Sequence, residues 1–237
     1  MLSPLVVIPA HNEENSIASV VEDLHAKGYR NTLVVDDAST DRTYSIASQC
    51  SKVISLPYNL GAWKATQAGI RYAYEQGIEQ VVTFDADGQH LAQTLPPLLA
   101  LHKRENFDIV IGSCTSRGSL ARHIAWGVFR RLSGIEVKDL TSGLRVYNRK
   151  AMAVLSSEQA TMLEYQDVGV LLLLKNFKVS KTEVPVKMTQ RADGISRIFY
   201  SWGAVVYYMA YTTMLCLSKV SKTYHLSIDD DINLEKE

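Results

Sequence analysis

Cysteine is scarce in this chain of 237 residues: Cys50, Cys114 and Cys216 are the only three, an odd number with no Cys-x-x-Cys spacing. That excludes a disulfide framework or a thiolate zinc site as the organising principle and suits a reducing compartment. An excess of charge of one sign is also missing. The 25 Lys and Arg balance 25 Asp and Glu, so no global basic field recommends nucleic acid as a partner, and any anion site has to be local. There is no internal repeat and no glycine-rich phosphate loop. The N-terminus shows no basic segment followed by a long apolar one, so no signal peptide is expected, and the chain is expected in the cytoplasm.

What is present is alternation. Short β-branched runs (Leu5 to Pro9, Thr32 to Asp36, Lys52 to Leu56, Gln80 to Phe84, Asp108 to Gly112) alternate with amphipathic stretches of helical length (16–27, 40–49, 60–75, 93–104). This pattern builds parallel strands with helical crossovers, an α/β, Rossmann-like open twisted sheet, mostly parallel, with helices on both faces. Asn12 or Asn15, Thr40 and Asn59 offer caps for the first three helices. The second half is less regular: helices over 120–132 and around 168–176, and strands over 144–147 and 181–186. From Phe199 to Leu217 there is no charged residue, and the segment from Asp229 to Glu237 is acidic. The expected organisation is a folded domain over 1–198, an apolar helix over 199–222 and an acidic tail over 223–237.

In such sheets ligands bind beyond the carboxyl ends of the strands. Three polar clusters follow the first, second and fourth strands: Pro9-Ala10-His11-Asn12-Glu13-Glu14, Asp36-Asp37-Ala38-Ser39-Thr40-Asp41 and Asp85-Ala86-Asp87-Gly88-Gln89-His90. Asp85 and Asp87 cannot both enter a core without a cost of several kcal/mol each, so the pair calls for a cation. Hard oxygen ligands suit Mg²⁺ or Mn²⁺, and Gln89 offers a further oxygen. One carboxylate of the Asp36-Asp37 doublet is placed to accept the N–H of a base or a ribose hydroxyl. Taken alone, each cluster also reads as a solvated turn.

Together the segments Ile8-Pro9-Ala10-His11-Asn12-Glu13, Val34 to Asp41, Asn59-Leu60-Gly61 and Asp85-Ala86-Asp87-Gly88-Gln89 resemble the family 2 glycosyltransferases, in order and spacing. Asp139 to Arg145, and Glu183-Val184-Pro185-Val186 followed by Arg191, Gly194, Ser196 and Arg197, are similar to the dolichyl- or polyprenyl-phosphate mannosyltransferase branch. The resemblance spans about residues 4 to 198. It implies a GT-A fold and a donor that is a GDP- or UDP-sugar. Pro9, His11, Glu13, Val35, Asp37 and Gly61 would line the nucleotide pocket. Asp85, Asp87 and Gln89 would hold Mg²⁺ or Mn²⁺ and, with Ala86, meet the donor diphosphate. Arg117, Arg191 and Arg197 would surround the phosphates. The chain departs from the branch in carrying His11 where Tyr is common and Arg197 where Lys is common.

Independently of any family, a guanidinium pairs bidentately with phosphate and keeps its charge, which makes Arg117, Arg122, Arg145, Arg191 and Arg197 candidates. The resemblance implies an inverting transfer. A lipid-phosphate acceptor is already an anion and needs no base, whereas a saccharide hydroxyl needs one, and Asp167 in Glu164-Tyr165-Gln166-Asp167 is the candidate. The apolar helix, with Ser201, Tyr208 and Thr212 on one stripe, suits a membrane interface, a position packed on the domain, or a second subunit in a homo-oligomer. The competing readings are transfer to a saccharide hydroxyl in surface polysaccharide assembly, a nucleotidyltransferase, and a non-catalytic sugar-nucleotide-binding protein.

Overall fold

Burial explains the strands. In Leu5–Ala10 (β1), Val6 and Ile8 enter one core while Leu5 and Val7 enter another, and all four are at most 3% exposed. A strand apolar on both faces has to lie inside a sheet covered on both sides. The computed structural model describes residues 3–117, 120–189 and 202–219 and shows that sheet. Its seven strands are β1, Thr32–Asp36 (β2), Lys52–Ser55 (β3), Gln80–Thr83 (β4), Ile109–Ser113 (β5), Arg145–Asn148 (β6) and Lys181–Pro185 (β7), in the order β3-β2-β1-β4-β6-β5-β7. All neighbours are parallel except β6, which runs antiparallel to both β4 and β5.

One face is covered by Ile17–Ala26 (α1), Thr43–Cys50 (α2) and Leu95–Glu105 (α4), through residues such as Val21, Ala47 and Leu98. The other carries Ala62–Glu75 (α3), Leu120–Ser133 (α5), Arg149–Leu155 (α6), Glu158–Thr161 (α7), Val168–Asn176 (α8) and Trp202–Lys219 (α9), with Trp63, Phe129 and Leu171 in its core. The short helices α6 and α7 fall where no helix is expected from periodicity. Each is opened by a local cap: Asn148 accepts from the Ala151 amide and Ser157 from the Ala160 amide.

The first three helices start differently from expectation. The Glu13 carbonyl accepts the amides of Ser16 and Ile17 at the start of α1. Asp41 takes the Thr43 amide at 2.8 Å at the start of α2, and α3 follows Gly61, whose φ of 89° only glycine adopts freely. Asn12 ties two loops together instead of capping a helix.

Helix α9 packs on α5 and α8, one of the expected positions. Of the expected stripe, Ser201 lies outside the described residues, while Tyr208 and Thr212, together with Cys216, are at most 6% exposed and point inward. The outward face is the apolar one, with Val206, Met214 and Leu217 each about two-thirds exposed or more, along an open apolar groove of about 860 Å³. Among the described residues no helix is long and apolar enough to cross a membrane.

Candidate active site

Because β1 lies between β2 and β4 and is parallel to both, the loops that follow these strands leave the sheet at one edge. The first two are sewn together. The Asn12 amide donates to Ser39 Oγ at 3.0 Å, and Asn12 Oδ1 accepts the Thr40 amide at 2.8 Å. The Glu13 amide donates to Thr43 Oγ1 at 2.7 Å, and Arg42 pairs with Glu14 at 3.0 Å. His11 Nδ1 lies 2.8 Å from the Asp37 carbonyl and Nε2 lies 3.2 Å from Asn12 Nδ2. Those partners assign the Nδ1–H tautomer, since a carbonyl can only accept. Asn12 and Ala38 hold the left-handed backbone conformation, with φ of 53° and 52°. Such strain in non-glycine residues persists where surrounding bonds over-determine it.

The doublet after β2 divides its duties. Asp37, 2% exposed, accepts the Leu60 amide on Oδ1 at 2.7 Å and the Gly61 amide on Oδ2 at 2.8 Å. It therefore anchors the turn into α3. Asp36 is equally buried; its Oδ2 accepts from Ser55 at 3.3 Å, and its Oδ1 has no partner among the described residues. Val35 and Ala86, two expected pocket residues, have side chains buried in the cores beneath the edge, whereas Pro9 and Glu13 are partly exposed.

The third loop carries Asp85, Asp87 and Gln89, all partly exposed. Asp87 Oδ1 accepts the Gln89 amide at 3.0 Å. Thr189 fastens the loop from outside, its amide to the Gln89 carbonyl and its hydroxyl to the Gly88 carbonyl, both at 2.9 Å. The chain thus reaches this loop two positions before Arg191. Arg191 and Arg197 themselves lie outside the described residues, as do the side chains of Arg117 and Arg122. The backbone of Arg117 closes a short helical turn, Thr115–Arg117, just after β5.

The reversed direction of β6 brings a further segment to the same edge, because an antiparallel strand begins where its neighbours end. The segment 138–144 is held firmly: Asp139 accepts the Cys114 amide, and Glu183 accepts the amides of Lys138 and Asp139. Arg145, fully buried, donates from Nε to the Ser142 carbonyl at 2.9 Å and from Nη2 to the Leu140 carbonyl at 3.2 Å. This corrects the expectation of Arg145 as a phosphate ligand, since its guanidinium is enclosed inside the protein, with Nη1 unpartnered among the described residues. Gly143, which follows Ser142, lies against the Asp85 carboxylate. His90 approaches the same carboxylate, with Nε2 3.3 Å from Oδ2. Sequence reasoning gave neither of them a role. His90 adjoins the acidic motif, but the Gly143 contact spans distant segments and leaves no local signal.

Asp167 stands at the start of α8. The residue keeps some solvent contact, yet its carboxyl is enclosed, and burial pushes its pKa up against a hydrogen bond from Tyr208 and the charge of Arg145. Glu164, nearby, accepts from Tyr207 Oη at 3.0 Å and gives its amide to Tyr211 Oη at 3.1 Å.

Among the described residues no three His, Cys, Asp or Glu side chains gather closely enough to cage a metal. Two carboxylates on one partly exposed loop are oxygen groups of the kind that hard cations take. An α/β sheet with acidic loops at the carboxyl ends of its central strands belongs to the nucleotide-binding class. Comparison narrows the class. Residues 5–156 match the model of the glycosyl transferase family 2, and the chain belongs to that family and is a glycosyltransferase. It is 31% identical over 211 residues to the UDP-N-acetylglucosamine–dolichyl-phosphate N-acetylglucosaminyltransferase of Methanococcus voltae, covering 77% of this chain and 84% of that one. Over 213 residues it is 28% identical to the polyprenol monophosphomannose synthase of Mycolicibacterium smegmatis, covering 82% and 80%. In fold it matches glucosyl-3-phosphoglycerate synthase from Mycobacterium tuberculosis, solved with Mg²⁺ and uridine diphosphate, with a TM-score of 0.66, 20% identity, and 92% and 79% coverage. The GT-A architecture expected from the sequence is therefore the one observed.

Proposed function

We propose that this glycosyltransferase moves a sugar from a nucleoside-diphosphate donor, a GDP- or UDP-sugar, to a polyprenyl phosphate, with inversion at the anomeric carbon. The observation that carries the reading is that the loops bearing Asp37, Asp85 and Asp87 leave the sheet at one edge, as binding a base or ribose beside a diphosphate would require. Pro9, His11 and Glu13 line the nucleotide side, with Asp37 as acceptor for a base N–H or a ribose hydroxyl. Asp85, Asp87 and Gln89 would hold Mg²⁺ or Mn²⁺, which would supply positive charge to a leaving diphosphate. Arg117, Arg191 and Arg197 pair with phosphate oxygens. Thr189 supports this by fastening the chain just before Arg191 to the Asp85–Gln89 loop.

The acceptor assignment is supported by the two relatives, whose names specify dolichyl phosphate and polyprenol monophosphate chemistry. It is also supported by the apolar outer face of α9, which suits a peripheral position on the cytoplasmic face of a membrane. A phosphate nucleophile needs no protein base, which agrees with an Asp167 carboxyl engaged by Tyr208 and Arg145. The test is single-turnover transfer from GDP- and UDP-sugars, with Mn²⁺ or Mg²⁺, to polyprenyl phosphate in detergent and to a saccharide in parallel. Transfer to the lipid is expected; transfer to the saccharide alone overturns the reading.

A further inference from the structure

Two residues confine the Asp85 carboxylate, and neither is among the expected ligands. Gly143 does not have a left-handed φ, so its backbone does not call for glycine; its neighbour does. A Cβ at 143 would stand 2.7 Å from Asp85 Cγ and nearer still to both oxygens, well inside van der Waals contact. On another side stands His90, 2% exposed, with Nε2 3.3 Å from Asp85 Oδ2 and its ring on Phe84 at a centroid distance of 5.7 Å. Among the described residues neither ring nitrogen makes a hydrogen bond of good geometry. An imidazole buried that way is costly for packing alone, because an apolar side chain would fill the space without stranded polar atoms.

We propose that Gly143 and His90 are positioning residues that fix the direction in which Asp85 presents its oxygens to the cation. Rotation about a carboxylate's last torsion is soft, while Mg²⁺ demands near-octahedral ligands. The segment before β6, anchored by Arg145, thereby sets the geometry of a site carried by β4. The inference rests on the reading of Asp85 as a metal ligand.

Two measurements on the full chain test it. The first needs no metal or nucleotide: thermal unfolding of Gly143→Ala, Asp85→Ala and the double variant. Gly143→Ala should push the Asp85 carboxylate aside, so its effect on Tm should be larger in the wild-type background than beside Asp85→Ala, where the colliding carboxylate is gone. The second is Mn²⁺ affinity with UDP or GDP, followed by electron paramagnetic resonance. Gly143→Ala and His90→Leu should each lose about tenfold or more, the usual scale for removing an outer-shell partner. His90→Gln, which restores an N–H, should recover part of that loss, and affinity for UMP or GMP should stay unchanged throughout. An equal Tm effect in both backgrounds, or undiminished Mn²⁺ affinity in Gly143→Ala and His90→Leu, overturns the positioning role alone. A His90→Gln no better than His90→Leu removes His90 from it. A wild type that binds Mn²⁺ with neither nucleotide overturns the metal reading, and the proposal with it.

Discussion

The Gly61 amide donates to Asp37 Oδ2 across 2.8 Å, joining the end of β2 to the first residue before α3. The carboxylate proposed to read a nucleotide is therefore also the clasp of a turn. Asp37→Ala should cost about 1 to 3 kcal/mol of stability without ligand, because two amides lose their acceptor. It should also weaken mononucleotide binding by about 1 to 3 kcal/mol. Urea denaturation and calorimetry with UMP and GMP measure the two effects separately; unaltered nucleotide affinity in a folded variant rules out the recognition role.

Asp87→Ala should leave the fold intact and abolish metal-linked donor binding. Its carboxylate sits on a partly exposed loop, and the bond it accepts from the Gln89 amide is a local one that a turn can lose cheaply. Mn²⁺ titration with nucleoside diphosphate, in wild type and variant, decides the matter. Equal metal-linked affinity in the two would dismiss the assignment.

Arg145→Met should behave as a folding mutant. It strips the carbonyls of Ser142 and Leu140 of their donor and leaves the Asp167 carboxyl without its nearby positive charge. Breaking a buried charge arrangement from one side costs about 3 to 5 kcal/mol. Thermal unfolding provides the check, and a variant as stable as wild type would show the guanidinium to be dispensable inside.

Asp167→Asn should keep lipid-phosphate transfer within about tenfold of wild type, whereas loss of a general base costs about 10²- to 10⁴-fold. Its stability should depend on pH in a set direction. Burial raises the Asp167 pKa, so the folded state holds the proton more tightly than the unfolded chain does. The resulting stability is full below the ordinary carboxylate range and fades as pH rises through the folded value. The Asn variant has no such loss, so its Tm relative to wild type should climb from acidic to neutral pH. A flat difference contradicts the buried, proton-retaining carboxyl.

The parallel half of the fold was legible because strands buried on both faces, such as Leu5–Ala10, advertise themselves as apolar runs between helical periods. The strand over 144–147 was also legible, but nothing local states the direction of a strand. Hence the antiparallel placement of β6, and with it the arrival of Gly143 beside Asp85, could not be read. The short helices α6 and α7 lacked the length for a period to show, although Asn148 and Ser157 carried cap signals. Arg145 was misread because charge suggests solvent, and only the folded interior reveals the carbonyls it serves. Of the acidic positions, Asp85 and Asp87 were singled out by their spacing, while the division of duties between Asp36 and Asp37 needed the turn at Gly61 to be seen.

The grip of Tyr207, Tyr208 and Tyr211 on the stretch from Glu164 to Asp167 bears on how the protein can be handled in the laboratory. Truncation before Trp202 to improve solubility would discard the hydroxyls that tether that stretch, along with the inward side chains of Thr212 and Cys216. Polar replacements at Val206, Met214 and Leu217 touch only the outward face. The terminal helix is therefore better resurfaced than removed.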